Sequence, residues 1–208
     1  LDLDVAVDMS GHTQDSRTEI FAKGVAPIQI NFLVYPGTMG MLAYDYIIAD
    51  EVVIPECSKK YYCEEVLYLP NCYQVNGKIT ELINADEKYS RKEFVFCCFN
   101  NSYKINPKVF DLWVQILQHV DNSVLWLMSN NLNFQSNIIY QAEKRGISPK
   151  RIQFFETVSR DEHLLRHKKI DLFLDTFPYG AHTTAADSLR MGIPLLTING
   201  KSFQSRVA

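Results

Sequence analysis

Lys104, Arg160, His163, His182, Thr183 and Thr184 are residue types that handle phosphate, and each falls just after an apolar run that reads as a buried strand. The most telling stretch is residues 175–192, DTFPYGAHTTAADSLRMG. An apolar run at 170–174 precedes it, and Phe177, Pro178, Tyr179 and Gly180 break the pattern. Ala181, His182, Thr183 and Thr184 then open a short helix, which Gly192 and Pro194 close before a second apolar run at 193–198. The first-turn N–H groups of a helix lack intrahelical partners, and its dipole favours an anion there. The stretch therefore reads as a diphosphate cradle at Thr183–Thr184. It also reads as an ordinary capped helix, because Thr184 and Asp187 have the spacing of a capping box.

The elements that must position these residues alternate between strand and helix. The first part of the chain reads as strand 3–8, loop 9–15, helix 17–23 and strand 28–35, with Ser16 and Glu19 at capping-box spacing and Gly24 as the stop. Tyr35, Pro36, Gly37, Thr38, Met39 and Gly40 form a turn-rich loop directly after a strand, which makes the loop either a site candidate or a tight turn. Residues 76–92 lose apolar periodicity and gain charge, so they read as a linker between a partial lobe, 1–75, and a second lobe, 93–208. From residue 93 the pattern is regular: strand 94–99, helix from Asn106 and Pro107, strand 123–128, helix 134–145, strand 152–155, and a helix capped by Ser159 with Glu162 three residues on. Val109, Leu112, Trp113, Ile116, Leu117 and Val120 fall at helical spacing in the first of these helices. Successive βα units imply an α/β fold, a parallel sheet with helices on both faces. Loops after the strands of such a sheet gather at one edge. Asn101 and Lys104, Val158, Arg160 and His163, and residues 175–184 therefore meet at one rim, a set suited to a nucleoside diphosphate. Taken singly, Lys104 reads as a solvated lysine, Asn101 as a loop former and His163 as a surface or packing histidine. His12, in a Gly-His-Thr run, reads as a general base, a sugar contact or a loop histidine. His119 and His167 read as surface residues.

Composition excludes several classes. The 208 residues are 47% apolar and carry a net charge of −3, which offers no broad basic surface for nucleic acid. No apolar run approaches the length of a membrane span, and the start lacks a signal-peptide layout. The five cysteines, Cys57, Cys63, Cys72, Cys97 and Cys98, show no metal-ligand spacing and read as reduced thiols of a cytoplasmic protein. No H-x-x-H, paired-cysteine, G-x-S-x-G or Walker loop signature is present, so no metal or other cofactor is expected. Charge on a leaving diphosphate would then be met by Lys104, helix termini and hydroxyls. Both ends of the chain read as cuts from a longer protein.

Three blocks, DMSGHTQDSRTEIFAKGVAPIQINFLVYPGTMG, FNNSYKIN and LDTFPYGAHTTAADSLRMGIPLLTINGKSFQSRVA, resemble in order and spacing the catalytic region of the O-GlcNAc transferase / SPINDLY-like glycosyltransferases of bacterial style. The resemblance covers essentially the whole chain. It implies a GT-B fold of two Rossmann-like lobes with the nucleotide sugar in the cleft. It also implies inverting, metal-independent transfer of N-acetylglucosamine from UDP-GlcNAc to protein Ser/Thr hydroxyls, with a tetratricopeptide region in the full-length chain. Lys104 matches the lysine on the donor diphosphate, and Asn101 stands where animal enzymes carry a glutamine. His163 matches the histidine against the nucleobase. Arg160 replaces a lysine near base and ribose, and Val158 stands at a backbone contact to the base. His182, Thr183 and Thr184 match the diphosphate loop, and Asp187 the carboxylate on the ribose. His12 matches an active-site histidine, with Asp8 as a neighbouring acidic candidate, and Leu33 and Pro36 match the loop that shapes the sugar pocket.

Two departures stand out: Val34 occupies a usual glycine position, and Tyr179 stands where animal enzymes have a cysteine. The resemblance leaves GDP-fucose as an alternative donor, and a non-catalytic nucleotide-binding scaffold as an alternative of another class. With most of the first lobe and the acceptor-binding repeats missing, the 208 residues alone are expected to be inactive.

Overall fold

The computed structural model describes residues 2–77 and 92–208. It forms two compact units, one of Leu1–Gly77 with Gly200–Val207 and one of Lys78–Asn199 with Ala208. Most of the expected linker, at 78–91, lies outside the described residues.

The first unit holds a four-stranded parallel sheet in sequential order: β1 (Val5–Asp8), β2 (Ile28–Phe32), β3 (Tyr46–Ala49) and β4 (Glu65–Tyr68). Its core gathers Ile47, Ala49, Val53, Ile54, Val66 and Tyr73. Val207 joins that core, Phe203 packs against it, and Arg206 donates to the Val52 carbonyl at 3.0 Å. These contacts correct the expected lobe boundary: 93–208 is not one body, because Gly200–Val207 returns to the first unit. The helix α1 (Thr18–Phe21) is a single turn with no side-chain cap, so the Ser16–Glu19 capping box does not form.

The second unit holds a five-stranded parallel sheet built from β5 (Phe94–Cys98), β6 (Ser123–Met128), β7 (Ile152–Phe155), β8 (Leu172–Leu174) and β9 (Leu195–Leu196), in the order β7-β6-β5-β8-β9. Successive residues of β5, Val95 to Cys98, are all buried although they point to opposite faces, so both faces are covered. The helices are α2 (Pro107–His119), α3 (Leu132–Lys144), α4 (Arg160–His167) and α5 (Thr183–Arg190). Local chemistry sets their starts. Asn106 Oδ1 accepts from the Val109 N–H at 3.1 Å with Pro107 at the first position, and Ser159 and Glu162 form a reciprocal capping box. The face α2 buries is Val109, Phe110, Trp113, Val114 and Leu117. Leu112, expected inside, is 45% exposed, and Phe110 and Val114 take the core positions instead. Each such large apolar side chain stabilises the unit by about 1.5–3 kcal/mol.

The strand order matters for function. From β5 the chain runs outward through β6 and β7, then crosses back to place β8 on the other side of β5. The carboxyl ends of β5 and β8 flank the point where the winding reverses, where open α/β sheets bind ligands.

Candidate functional site at the β5–β8 switch point

Asp175, the first residue after β8, organises this edge. Its carboxylate is 8% exposed. Oδ1 accepts from Asn100 Nδ2 at 2.9 Å, the Thr176 N–H at 2.7 Å and the Ala181 N–H at 2.8 Å, while Oδ2 accepts from the Thr197 hydroxyl at 2.7 Å. Asn100, the second residue after β5, also donates to Thr176 Oγ1 at 2.8 Å and accepts from the Thr184 hydroxyl at 2.6 Å. The start of α5 is thereby tied to the ends of both central strands. Neither Asp175 nor Asn100 stands out in the sequence by itself; only their burial and mutual distance reveal the network.

This geometry removes the capping-box reading of 175–192. The N-cap position of α5 is His182, with no side-chain cap bond. Thr184 spends its hydroxyl on Asn100, and Asp187, 7% exposed, pairs with Arg160 at 3.4 Å. The Thr184–Asp187 capping box does not form, and the helix end is left without a side-chain lid.

Lys104 reaches the same loop from a single 3-10 turn, Ser102–Lys104, that opens at Asn101. Its Nζ donates to the Gly180 carbonyl at 2.8 Å and lies 4.8 Å from the centre of the Tyr179 ring. Burial lowers its pKa from the ordinary lysine value, and the nearby Asp175 opposes the shift. His182 is pushed down to about 4, first by burial and then by the Lys104 charge. The loop thus joins one ammonium to a neutral imidazole and a helix N-terminus.

Asn101 and Thr184 line an open groove of about 710 Å3 that continues along Phe99, Met128, Ser129, Asn130, Asn131 and Thr157, over the ends of β5, β6 and β7. The sequence reading missed Met128 through Asn131, whose only signal was a position at or just after the end of β6. Thr183 is exposed. Val158 is 38% exposed in the loop before α4, and Arg160 stands 63% exposed on the α4–α5 ion pair. The His163 ring lies edge-on against Phe99 at 5.2 Å, and its pKa falls to about 4, chiefly by burial and then by His167. His167 corrects another expectation: it is fully buried, at 0% exposure, rather than a surface residue. His119 is exposed, its Nδ1 2.8 Å from the Gln115 carbonyl.

The remaining candidates belong to the first unit. Asp8, 4% exposed, accepts from the Ser10 and Gly11 N–H groups at 2.9 and 3.0 Å and from the Tyr44 hydroxyl at 2.7 Å. Gly11, at φ +54°, packs on Tyr35; a Cβ there would lie 2.7 Å from Tyr35 Cβ. His12 is exposed, with Nε2 3.0 Å from the Met39 carbonyl and its ring edge-on to Tyr35 at 5.4 Å. Leu33 holds a left-handed φ of +85°, Val34 is 47% exposed, and Pro36 is buried. Asn31 Nδ2 donates to the Tyr35 and Gly37 carbonyls and so pins this loop from below. All five cysteines are free, and burial raises the Cys97 and Cys98 thiols. Among the described residues, no group of three or more His, Cys, Asp or Glu is placed to hold a metal ion, and no helix is long and apolar enough to cross a membrane.

The family model for glycosyl transferase family 41 matches residues 2–88 and 79–208. The probable UDP-N-acetylglucosamine–peptide N-acetylglucosaminyltransferase SEC of Arabidopsis thaliana is 33% identical over 99% of this chain and 22% of its own length. The probable enzyme SPINDLY of the same plant is 31% identical over 95% of this chain and 22% of its own. The Caenorhabditis elegans UDP-N-acetylglucosamine–peptide N-acetylglucosaminyltransferase is 25% identical over 98% of this chain and 28% of its own. The chain thus spans roughly a quarter of these relatives. A solved mutant of the Thermobaculum terrenum O-GlcNAc transferase superposes with a TM-score of 0.91 at 31% identity, over 99% of this chain and 40% of that one. That likeness bears out the α/β class with parallel sheets and matches the expected GT-B type. With the family model spanning nearly every residue, the chain belongs to glycosyl transferase family 41.

Proposed function

We propose that this chain is the donor-binding part of a glycosyltransferase that moves N-acetylglucosamine from UDP-GlcNAc to Ser/Thr hydroxyls of proteins, by an inverting and metal-independent reaction. The observation that carries the reading is the switch-point constellation, in which the Asp175–Asn100–Thr184 network holds an uncapped helix end beside the Lys104 ammonium. Positive charge and unpaired N–H groups at one point are what a departing diphosphate requires. Lys104 moves from the Gly180 carbonyl to the phosphates, and the Thr183 and Thr184 end of α5 receives the rest of the charge. Asp187 receives the ribose hydroxyls, and the neutral His163 lies against the base. The relatives' names support the donor and the protein acceptor. Asp8 is fully engaged by Ser10, Gly11 and Tyr44, which fits a residue that shapes the 9–13 loop rather than one that takes a proton. His12 keeps the general-base candidacy, and a phosphate oxygen of the donor is the other candidate base.

Titration calorimetry with UDP, GDP and pyrophosphate tests the reading. UDP should bind most tightly, and Lys104→Ala should weaken it by about tenfold or more. Tighter binding of GDP would move the donor to GDP-fucose, and the absence of any nucleoside diphosphate binding would refute the donor-binding reading.

A further inference from the structure

Helix α4, RDEHLLRH, is strongly polar, yet it buries two residues, Leu164 and His167. His167 has no exposure at all, and its Nδ1 lies 2.9 Å from the His163 carbonyl one turn earlier. A carbonyl only accepts, so Nδ1 carries the proton and Nε2 is left as a bare acceptor. That Nε2 is buried without a hydrogen-bond partner. An apolar side chain would fill the position without an orphaned nitrogen, so the ring needs another explanation. The neighbours supply one. The His167 ring meets His163 edge-on at 4.8 Å and 89°, and meets Phe99 at 5.4 Å and 83°. Phe99 in turn contacts His163 at 5.2 Å. Three rings therefore lock one another, and His163 cannot turn about its Cβ–Cγ bond without losing both edge contacts.

We propose that His167 is a positioning residue for His163, fixing the plane in which that imidazole is presented to a nucleobase. The proposal rests on the reading of His163 as the base contact. Charge supports the geometry. Both imidazoles are held below the ordinary histidine value: His163 by burial and then by His167, and His167 by burial, opposed by its bond to the His163 carbonyl. The other charged groups acting on the pair are Arg166, Arg160 and Asp187. At neutral pH neither ring carries charge, so the close edge contact meets no repulsion. A neutral His163 offers a flat face with one donor and one acceptor.

The test uses the 208-residue chain, whose five histidines make imidazole nitrogen NMR tractable. In the parent, His163 should show one neutral tautomer down to about pH 5, given its value of about 4. His167→Ala should average the His163 tautomers and raise its titration point toward 6.5. It should also weaken UDP by about five- to tenfold while leaving pyrophosphate unchanged. His167→Phe, which keeps the ring contacts, should hold UDP within about threefold of the parent. An unchanged His163 spectrum in a folded His167→Ala variant would overturn the proposal, as would equal losses in the Phe and Ala variants with melting like the parent's. If the parent binds no nucleoside diphosphate, the functional reading fails, and the His163 spectra decide the positioning role on their own.

Discussion

Replacing Asp175 tests whether one buried carboxylate holds the 175–184 loop together. Four donors converge on it, from Asn100, Thr176, Ala181 and Thr197. In Asp175→Ala, Asn100 Nδ2 keeps its bond to Thr176 Oγ1, but the Thr176 and Ala181 N–H groups and the Thr197 hydroxyl lose their acceptor. An orphaned buried donor costs about 1–3 kcal/mol, and the refund of carboxylate desolvation offsets part of that, leaving a loss of about 3–5 kcal/mol. Asp175→Asn keeps the Oδ1 acceptor and lets the Thr197 hydroxyl turn to accept, so its cost is about 1–2 kcal/mol from the lost charge. Thermal unfolding followed by circular dichroism should therefore order the three proteins, with Ala melting about 10 °C below the parent and Asn about 4 °C below. Pyrophosphate affinity should fall in the same order, because Ala181 leads directly into the α5 start. An Ala variant that melts within about 2 °C of the parent, or an Asn variant as damaged as the Ala one, would refute the hub.

Three further outcomes are expected. Gly11→Ala should destabilise the first unit by about 2–4 kcal/mol, because it combines a left-handed backbone with a clash on Tyr35, and denaturant titration reads this directly. Phe203→Ala should cost about 2–3 kcal/mol and speed proteolysis of the 200–207 segment, because it removes the ring packed edge-on against Tyr35 at 5.2 Å; unchanged cleavage would show that the segment is held by other contacts. His163 and His182 titrate near 4 when folded, against an ordinary value of 6.5. The unfolded chain therefore binds more protons within that interval. Their stabilisation should be complete above about pH 6.5 and disappear as the pH falls toward 4, and a melting temperature that stays flat over that window would contradict the burial of both rings.

Much of the local structure is legible in the residues alone. Asn106–Pro107 and Ser159–Glu162 start helices through hydrogen bonds that span three residues, and the apolar runs of β5 through β8 mark buried parallel strands. Lys104, His182, Thr183 and Thr184 were equally visible as candidate phosphate-handling residue types after strand ends. What stayed out of reach depends on partners far along the chain. Nothing in an apolar run says which other run lies beside it, so only the fold could set β8 next to β5. That pairing brings Asn100 to Asp175 and Thr184, 75 and 84 residues away, and turns an apparent capping box into a tethered, open helix end. The same limit hid the burial of His167 under Phe99 and the return of 200–207 to the first unit. Helical and strand periods report which way a side chain points relative to its own element, and tertiary packing alone decides what it meets there.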